Sequence, residues 1–110
     1  MKIESETMER AADQASDLLK ALSNRHRLLM ICQLIDGERS VGQLAEFLNL
    51  RESTVSQHLA LLRKDGLVAA RRDAQTIYYS IASEPAREVL KTLYNVFCAP
   101  PKRARSKNRL

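Results

Sequence analysis

The sequence predicts a mainly α fold with one small β-hairpin, in the order ααααββα. Apolar residues recur at three- and four-residue steps in four segments before Asp65 and in one after Ser83. β-Branched and aromatic residues concentrate instead between Val68 and Ile81. Gly37, Gly66 and Pro100-Pro101 punctuate these patterns. With 110 residues and a 45% hydrophobic share, the chain suits one compact domain with a core that needs no disulfide stapling.

The first helix is expected over residues 6 to 22, where Met8, Ala12, Ala15, Leu18, Leu19 and Leu22 form one stripe and Ser5 or Thr7 serves as cap. Ser23-Asn24 breaks it. A second helix from Arg25 to Asp36 aligns Leu28, Ile31, Cys32 and Ile35, and Asp36-Gly37 ends it. This points Cys32 inward. Ser40 and Gln43 have capping-box spacing, opening a short third helix that buries Val41, Leu44, Ala45 and Leu48. Asn49-Leu50-Arg51 is a turn. The fourth helix, Glu52 to Asp65, buries Val55, Leu59 and Leu62 before the Gly66 stop. Val68 to Arg72 and Thr76 to Ile81 pair as a hairpin across Asp73-Ala74-Gln75. Ser83 caps a last helix with Pro85 in its first turn and a broad apolar stripe of Ala86, Val89, Leu90, Leu93, Tyr94 and Phe97, reaching Cys98. Residues 1 to 98 form the domain, and residues 99 to 110 read as a disordered basic tail.

Eighteen Lys and Arg against thirteen Asp and Glu give a net charge of +5, which suggests a polyanionic partner. Five of the basic residues lie after Pro101, so the body is balanced at thirteen of each sign. Within it the charges are sorted: Arg63, Lys64, Arg71 and Arg72 gather around the hairpin, and Glu4, Glu6, Glu9, Asp13 and Asp17 near the start. No apolar run reaches the roughly 20 residues of a membrane span, and the first ten residues lack a secretion-type apolar segment, so a cytoplasmic location is expected. In a reducing compartment Cys32 and Cys98 are not expected to form a routine structural disulfide.

Residues Ser40 to Tyr79 together read as a DNA-reading unit, a helix-turn-helix followed by a wing. A helix enters the major groove when its outward side chains are short enough for close approach and polar enough to reach bases and phosphates. Ser53, Thr54, Ser56 and Gln57 meet both demands, and Arg63 and Lys64 add charge at the end of the same helix. Gln57 is the best base-edge candidate, since its amide can pair bidentately with adenine. Arg71, Arg72, Gln75 and Thr76 on the wing would reach the backbone or an adjacent minor groove. Ser and Gln on a surface helix are commonplace, so the inference rests on the ordered set of capped helix, turn, second helix, glycine stop and hairpin.

His58 lies beside the buried stripe, which suits a packed or hydrogen-bonded histidine before a base contact or a proton switch. His26 reads as partly exposed. No CxC, CxxC or HxxE arrangement, glycine-rich phosphate loop or nucleophile-and-base grouping occurs. Hence no cofactor, no metal site within one element and no catalysis are expected.

Leu22-Ser23-Asn24-Arg25-His26-Arg27-Leu28, Ser40-Val41-Gly42-Gln43-Leu44-Ala45, Ser53-Thr54-Val55-Ser56-Gln57-His58-Leu59, Gly66-Leu67-Val68 and Gln75-Thr76-Ile77-Tyr78-Tyr79-Ser80 resemble the ArsR/SmtB family of bacterial repressors over residues 8 to 98. The resemblance implies a homodimeric winged helix-turn-helix, joined through its first and last helices, that leaves its operator when an inducer binds. Three departures stand out. The third helix carries Gln43-Leu44-Ala45-Glu46-Phe47 where metal-sensing members have a cysteine-containing box, the last helix has no histidine, and the fourth opens Arg51-Glu52-Ser53 rather than Ser-Gln-Ser.

One cysteine in the second helix and one at the end of the last resemble the dithiol branch of BigR-, SqrR- and HlyU-like regulators. That resemblance implies that reactive sulfur species or oxidants link Cys32 and Cys98 through a di- or polysulfide and release a pseudo-palindromic operator. Without it, Cys32 reads as a small buried hydrophobe and Cys98 as a helix-end residue. Two alternatives share the fold: a metal-responsive repressor using Cys32, Cys98 or carboxylates across the dimer, and a derepressor or activator that competes with a silencing protein for DNA.

Overall fold

A computed structural model describes residues 4–98. Its elements are α1 (Ser5–Leu22), α2 (Arg25–Gln33), β1 (Arg39–Ser40), α3 (Val41–Leu48), α4 (Glu52–Lys64), β2 (Val68–Asp73), β3 (Thr76–Ile81) and α5 (Glu84–Phe97). The expected helices and hairpin are all present, with one addition. The two-residue β1 pairs antiparallel with β3, giving a three-stranded sheet in the order β1-β3-β2. The expected basic tail lies outside the described residues.

Local chemistry sets the boundaries. Asn24 caps α2 by accepting from the backbone N–H groups of His26 and Arg27, at 3.0 and 3.1 Å. The Ser40 hydroxyl accepts from the Gln43 N–H while the Gln43 carboxamide accepts from the Ser40 N–H, completing the capping box that opens α3. Asn49 then turns the chain in the left-handed conformation, φ 57°. Gly66 ends α4 at φ 79°, which glycine tolerates without strain. Three boundaries differ from expectation. Glu4 occupies the N-cap of α1 and neither Ser5 nor Thr7 does; the Thr7 hydroxyl instead bonds the Glu4 carboxylate. Helix α2 stops at Gln33, three residues early, as the chain tightens into a turn in which the Leu34 and Ile35 N–H groups donate to the Ile31 and Cys32 carbonyls, three residues back. Asp73 pairs with Thr76, so the hairpin turn is the two residues Ala74-Gln75, with Ala74 held at φ 58°.

The core joins the inner faces of the helices to the base of the hairpin. Met30, Ile31 and Leu34 meet Leu44, Val55, Leu59, Leu62 and Leu90, all at most 1% exposed. Burying each such aliphatic chain contributes about 1.5–3 kcal/mol, so the row Val55, Leu59 and Leu62 fixes which face of α4 turns outward. Cys32, Leu18, Val89 and Ile81 pack partly buried around this centre.

The two terminal helices depart from this pattern. From Ser5 to Asp17 every residue of α1 is exposed, and only Ala21 and Leu22 at its end are buried. Helix α5 buries Ala86 and Leu90 but leaves Tyr94, Val96 and Phe97 open, Phe97 at 79%. The extents of 49 × 46 × 21 Å reflect this projection.

Candidate nucleic-acid interface and dithiol

With its apolar row facing the core, α4 turns Ser53, Ser56, Gln57, Arg63 and Lys64 to solvent, while Thr54 lies half-buried at the edge. Glu52 in the first turn and Arg63 and Lys64 in the last suit the helix dipole. Neither Arg63 nor Lys64 has an ion-pair partner among the described residues, so both cations are available to phosphate. Side chains of this size on an uncluttered face can enter a major groove.

Strand alternation divides the wing into two faces. Val68, Ala70 and Arg72 share one with Ile81, Tyr79 and Ile77, and Ala69, Arg71 and Asp73 share the other with Ser80, Tyr78 and Thr76. Arg71 and Arg72, adjacent in sequence, therefore point to opposite sides. Arg72, Gln75 and Thr76 are exposed, and Arg72 makes no ion pair among the described residues. Arg71 is engaged. Its Nε donates to Glu38 Oε2 at 2.9 Å and its Nη2 to Glu38 Oε1 at 2.8 Å, with the guanidinium carbon 4.9 Å from the Tyr78 ring centroid. This pairing holds the Glu38 carboxyl below the usual carboxylate range and raises Arg71. Glu38 is the residue that sequence reasoning missed: 33 positions separate it from Arg71, and no local pattern joins them.

The histidines lie away from this outer face. His26 and His58 have ring centroids 6.1 Å apart, and the Nδ1 atom of each is buried without a hydrogen-bond partner. Burial first, then the charges of Arg27 and His26, lower the His58 pKa.

The two thiols are free, Cys32 half-buried on α2 and Cys98 exposed at the C-cap of α5. Burial pushes the Cys32 thiol up, and the charge of a Cys98 thiolate pushes it further. An Arg87 guanidinium nitrogen donates to the Ile35 carbonyl at 3.1 Å, fastening the start of α5 near the end of α2. Among the described residues no group of three or more His, Cys, Asp or Glu side chains is placed to hold a metal, and no helix is long and apolar enough to cross a membrane.

Comparison with known proteins gives a consistent set. The family described as bacterial regulatory protein, arsR family, matches residues 24–70. The transcriptional activator HlyU of Vibrio cholerae is 44% identical over 91 residues, covering 83% of this chain and 84% of its own. The solved structure of reduced HlyU superposes with a TM-score of 0.82 at 43% identity, over 84% of this chain and 98% of the other. The biofilm growth-associated repressor of Xylella fastidiosa is 39% identical over 99 residues, 90% of this chain and 87% of that one. A homodimeric winged helix-turn-helix DNA-binding domain from Mycobacterium bovis has a TM-score of 0.71 at 33% identity, covering 87% of this chain and 89% of that one.

Proposed function

The chain belongs to the ArsR family of bacterial regulatory proteins, and from that premise we propose that it is a homodimeric transcriptional repressor released from its operator when Cys32 and Cys98 become covalently linked. The observation that carries the sensing half is the placement of two free thiols, half-buried Cys32 on α2 and exposed Cys98 at the C-cap of α5, on two helices fastened by the Arg87 bond to the Ile35 carbonyl. The DNA half rests on the outward face of α4 and the wing: Ser53, Thr54, Ser56 and Gln57 at the bases and phosphates, Arg63, Lys64, Arg72, Gln75 and Thr76 around them. Two such heads would enter successive major grooves roughly 34 Å apart on a pseudo-palindrome.

Dimerisation is supported by the bare ends of the molecule. A helix exposed over more than three turns gains no packing in the monomer, and isolated helices of that length are marginal in water. Met8 and Leu19 on α1 and Tyr94, Val96 and Phe97 on α5 supply the apolar surface for a second copy.

The chemistry follows from exposure. Cys98 is accessible, and burial raises the Cys32 pKa, which disfavours its thiolate. The Cys98 thiolate attacks the outer sulfur of an organic persulfide, and the organic thiolate leaves. The Cys32 thiolate then attacks the Cys98 sulfur, expelling hydrosulfide and closing a disulfide. If Cys32 is also persulfidated, two protein persulfides condense to a trisulfide with loss of hydrogen sulfide, spanning a wider gap. Either link pins the end of α5 to α2. Because α5 also carries the dimer surface, the spacing of the two reading heads changes and operator contact is lost.

The test is a Cys32→Ser protein challenged with organic persulfide on operator DNA. It should bind like wild type and stay bound, while the wild-type protein dissociates and shows a Cys32–Cys98 link by mass spectrometry. Release of the variant at the wild-type dose sinks the sensing claim; release of the wild type by zinc or arsenite alone favours metal induction. A derepressor role keeps one specific support, since relatives of similar identity are named both activator and repressor. Deleting the gene decides: target transcripts rise for a repressor and fall for a derepressor.

A further inference from the structure

We propose that Arg71 is a positioning residue, which with Glu38 and Tyr78 straps the wing to the start of the helix-turn-helix, and that phosphate contact at the wing falls to Arg72 on the opposite face. The inference rests on the operator-binding reading above and deepens it by dividing labour between two adjacent arginines.

The strap crosses the whole sheet. Arg71 lies on β2 and is cross-strand partner to Tyr78 on β3, and Tyr78 in turn faces Ser40 on β1. Glu38 precedes β1 by one residue, so alternation places it on the same face as Ser40, Tyr78 and Arg71. The arginine thus reaches over the tyrosine ring to a carboxylate on the far side, and the Nε and Nη2 edge of its planar guanidinium is bonded to both carboxylate oxygens.

Its place in the chain gives the strap leverage. β1 is only two residues long, and its second residue, Ser40, is also the N-cap of α3. Whatever fixes β1 against the hairpin fixes the wing against the helix pair. Backbone pairing over two residues is a weak hinge pin, and the Glu38–Arg71 pair reinforces it from the side. Side chains exposed by 53% and 38% make this pair a minor contributor to global stability. Its effect is on direction: with Arg71 anchored, Arg72, Gln75 and Thr76 at the far end of the hairpin are held at one angle to α4.

The two roles for Arg71 give opposite signs in one experiment. Removing a carboxylate near DNA should by itself tighten binding, because it lowers repulsion and frees a cation. A lost strap should weaken binding. Affinity and its salt dependence are measured for wild type, Glu38→Gln, Arg71→Gln, the double Gln variant and the exchanged Glu38→Arg/Arg71→Glu, on a duplex selected from random-sequence DNA by the wild-type protein. The expected result is a loss of about five- to tenfold in each single variant and no further loss in the double. The log–log salt slope should be unchanged, and the exchanged pair should recover most of the affinity. Amide hydrogen exchange of the free protein should quicken in the hairpin of Glu38→Gln and return towards wild type in the exchanged pair.

The proposal is overturned if Glu38→Gln binds as tightly as wild type or tighter while Arg71→Gln loses about one unit of salt slope per wing. Unchanged hairpin exchange in Glu38→Gln also overturns it, independently of DNA. Wild-type protein that selects no sequence overturns the operator reading itself and the strap's role with it.

Discussion

His58 stands half-buried on the inner flank of α4, its ring centroid 6.1 Å from that of His26, with its Nδ1 unpartnered. Folding makes its imidazolium costlier, because burial, Arg27 and His26 all lower its pKa from the ordinary 6.5. The unfolded chain takes up that proton at the ordinary value, so below about pH 6.5 it binds more protons at this site than the folded chain does. Stability from a neutral His58 is therefore complete above that pH and is lost as pH falls towards the lowered folded value. Thermal midpoints between about pH 7.5 and 5.5 should drop more steeply for wild type than for His58→Gln; parallel curves would show that the site is uncoupled from folding. The periodicity of α4 was enough to place His58 beside the apolar stripe. Its neighbour was not legible, because His26 arrives from another helix through a packing angle that no spacing encodes. Glu38 and Arg71 differ in the same way: each is an ordinary surface residue until β1 joins β3.

At the scale of elements, legibility follows how local the cause is. The capping box of α3, the glycine after α4 and the serine before α5 are decided by residues within a turn of each other, and all three are found. β1 is decided by the edge of β3, and Arg39-Ser40 has no β-branched or aromatic residue to announce it. The early end of α2 is a shift of backbone bonding from four residues back to three at Leu34 and Ile35, which the apolar spacing does not record because Leu34 is buried on the Met30 face in either case. Ser40 joins the local and the distant, being both a strand residue opposite Tyr78 and a reciprocal cap with Gln43. Ser40→Ala keeps the backbone pairing and removes the acceptor for the Gln43 N–H. It should cost about 1 kcal/mol, read as a lower urea midpoint at constant slope, and Ser40→Asp should restore it. Equal midpoints for wild type and the alanine variant would remove the cap from the account of how α3 is held.

For the whole molecule, the central fact is that one chain does not use all the surface it builds. The radius of gyration is 16.7 Å, against about 13 Å for a compact domain of this length, and the terminal helices carry long exposed stretches. The stripes of α1 and α5 were legible as amphipathic, but sequence periodicity does not say whether an apolar face meets its own core or another copy. Exposure at Leu19 (57%) and Phe97 (79%) shows that these side chains do not meet the chain's own core, which supports the proposed second copy. Leu19→Glu and Phe97→Glu each place a carboxylate in that apolar face without touching Met30, Leu59 or Leu90 in the core. Each should sediment as a folded monomer at concentrations where wild type is a dimer. Since joining two half-site contacts raises affinity by about 10²–10⁴, operator binding should fall at least about a hundredfold. A variant that stays dimeric would move the interface away from α1 and α5. A folded monomer that keeps full affinity would instead show that one reading head suffices, and a thiol link acting through the spacing of two heads would then lose its mechanism.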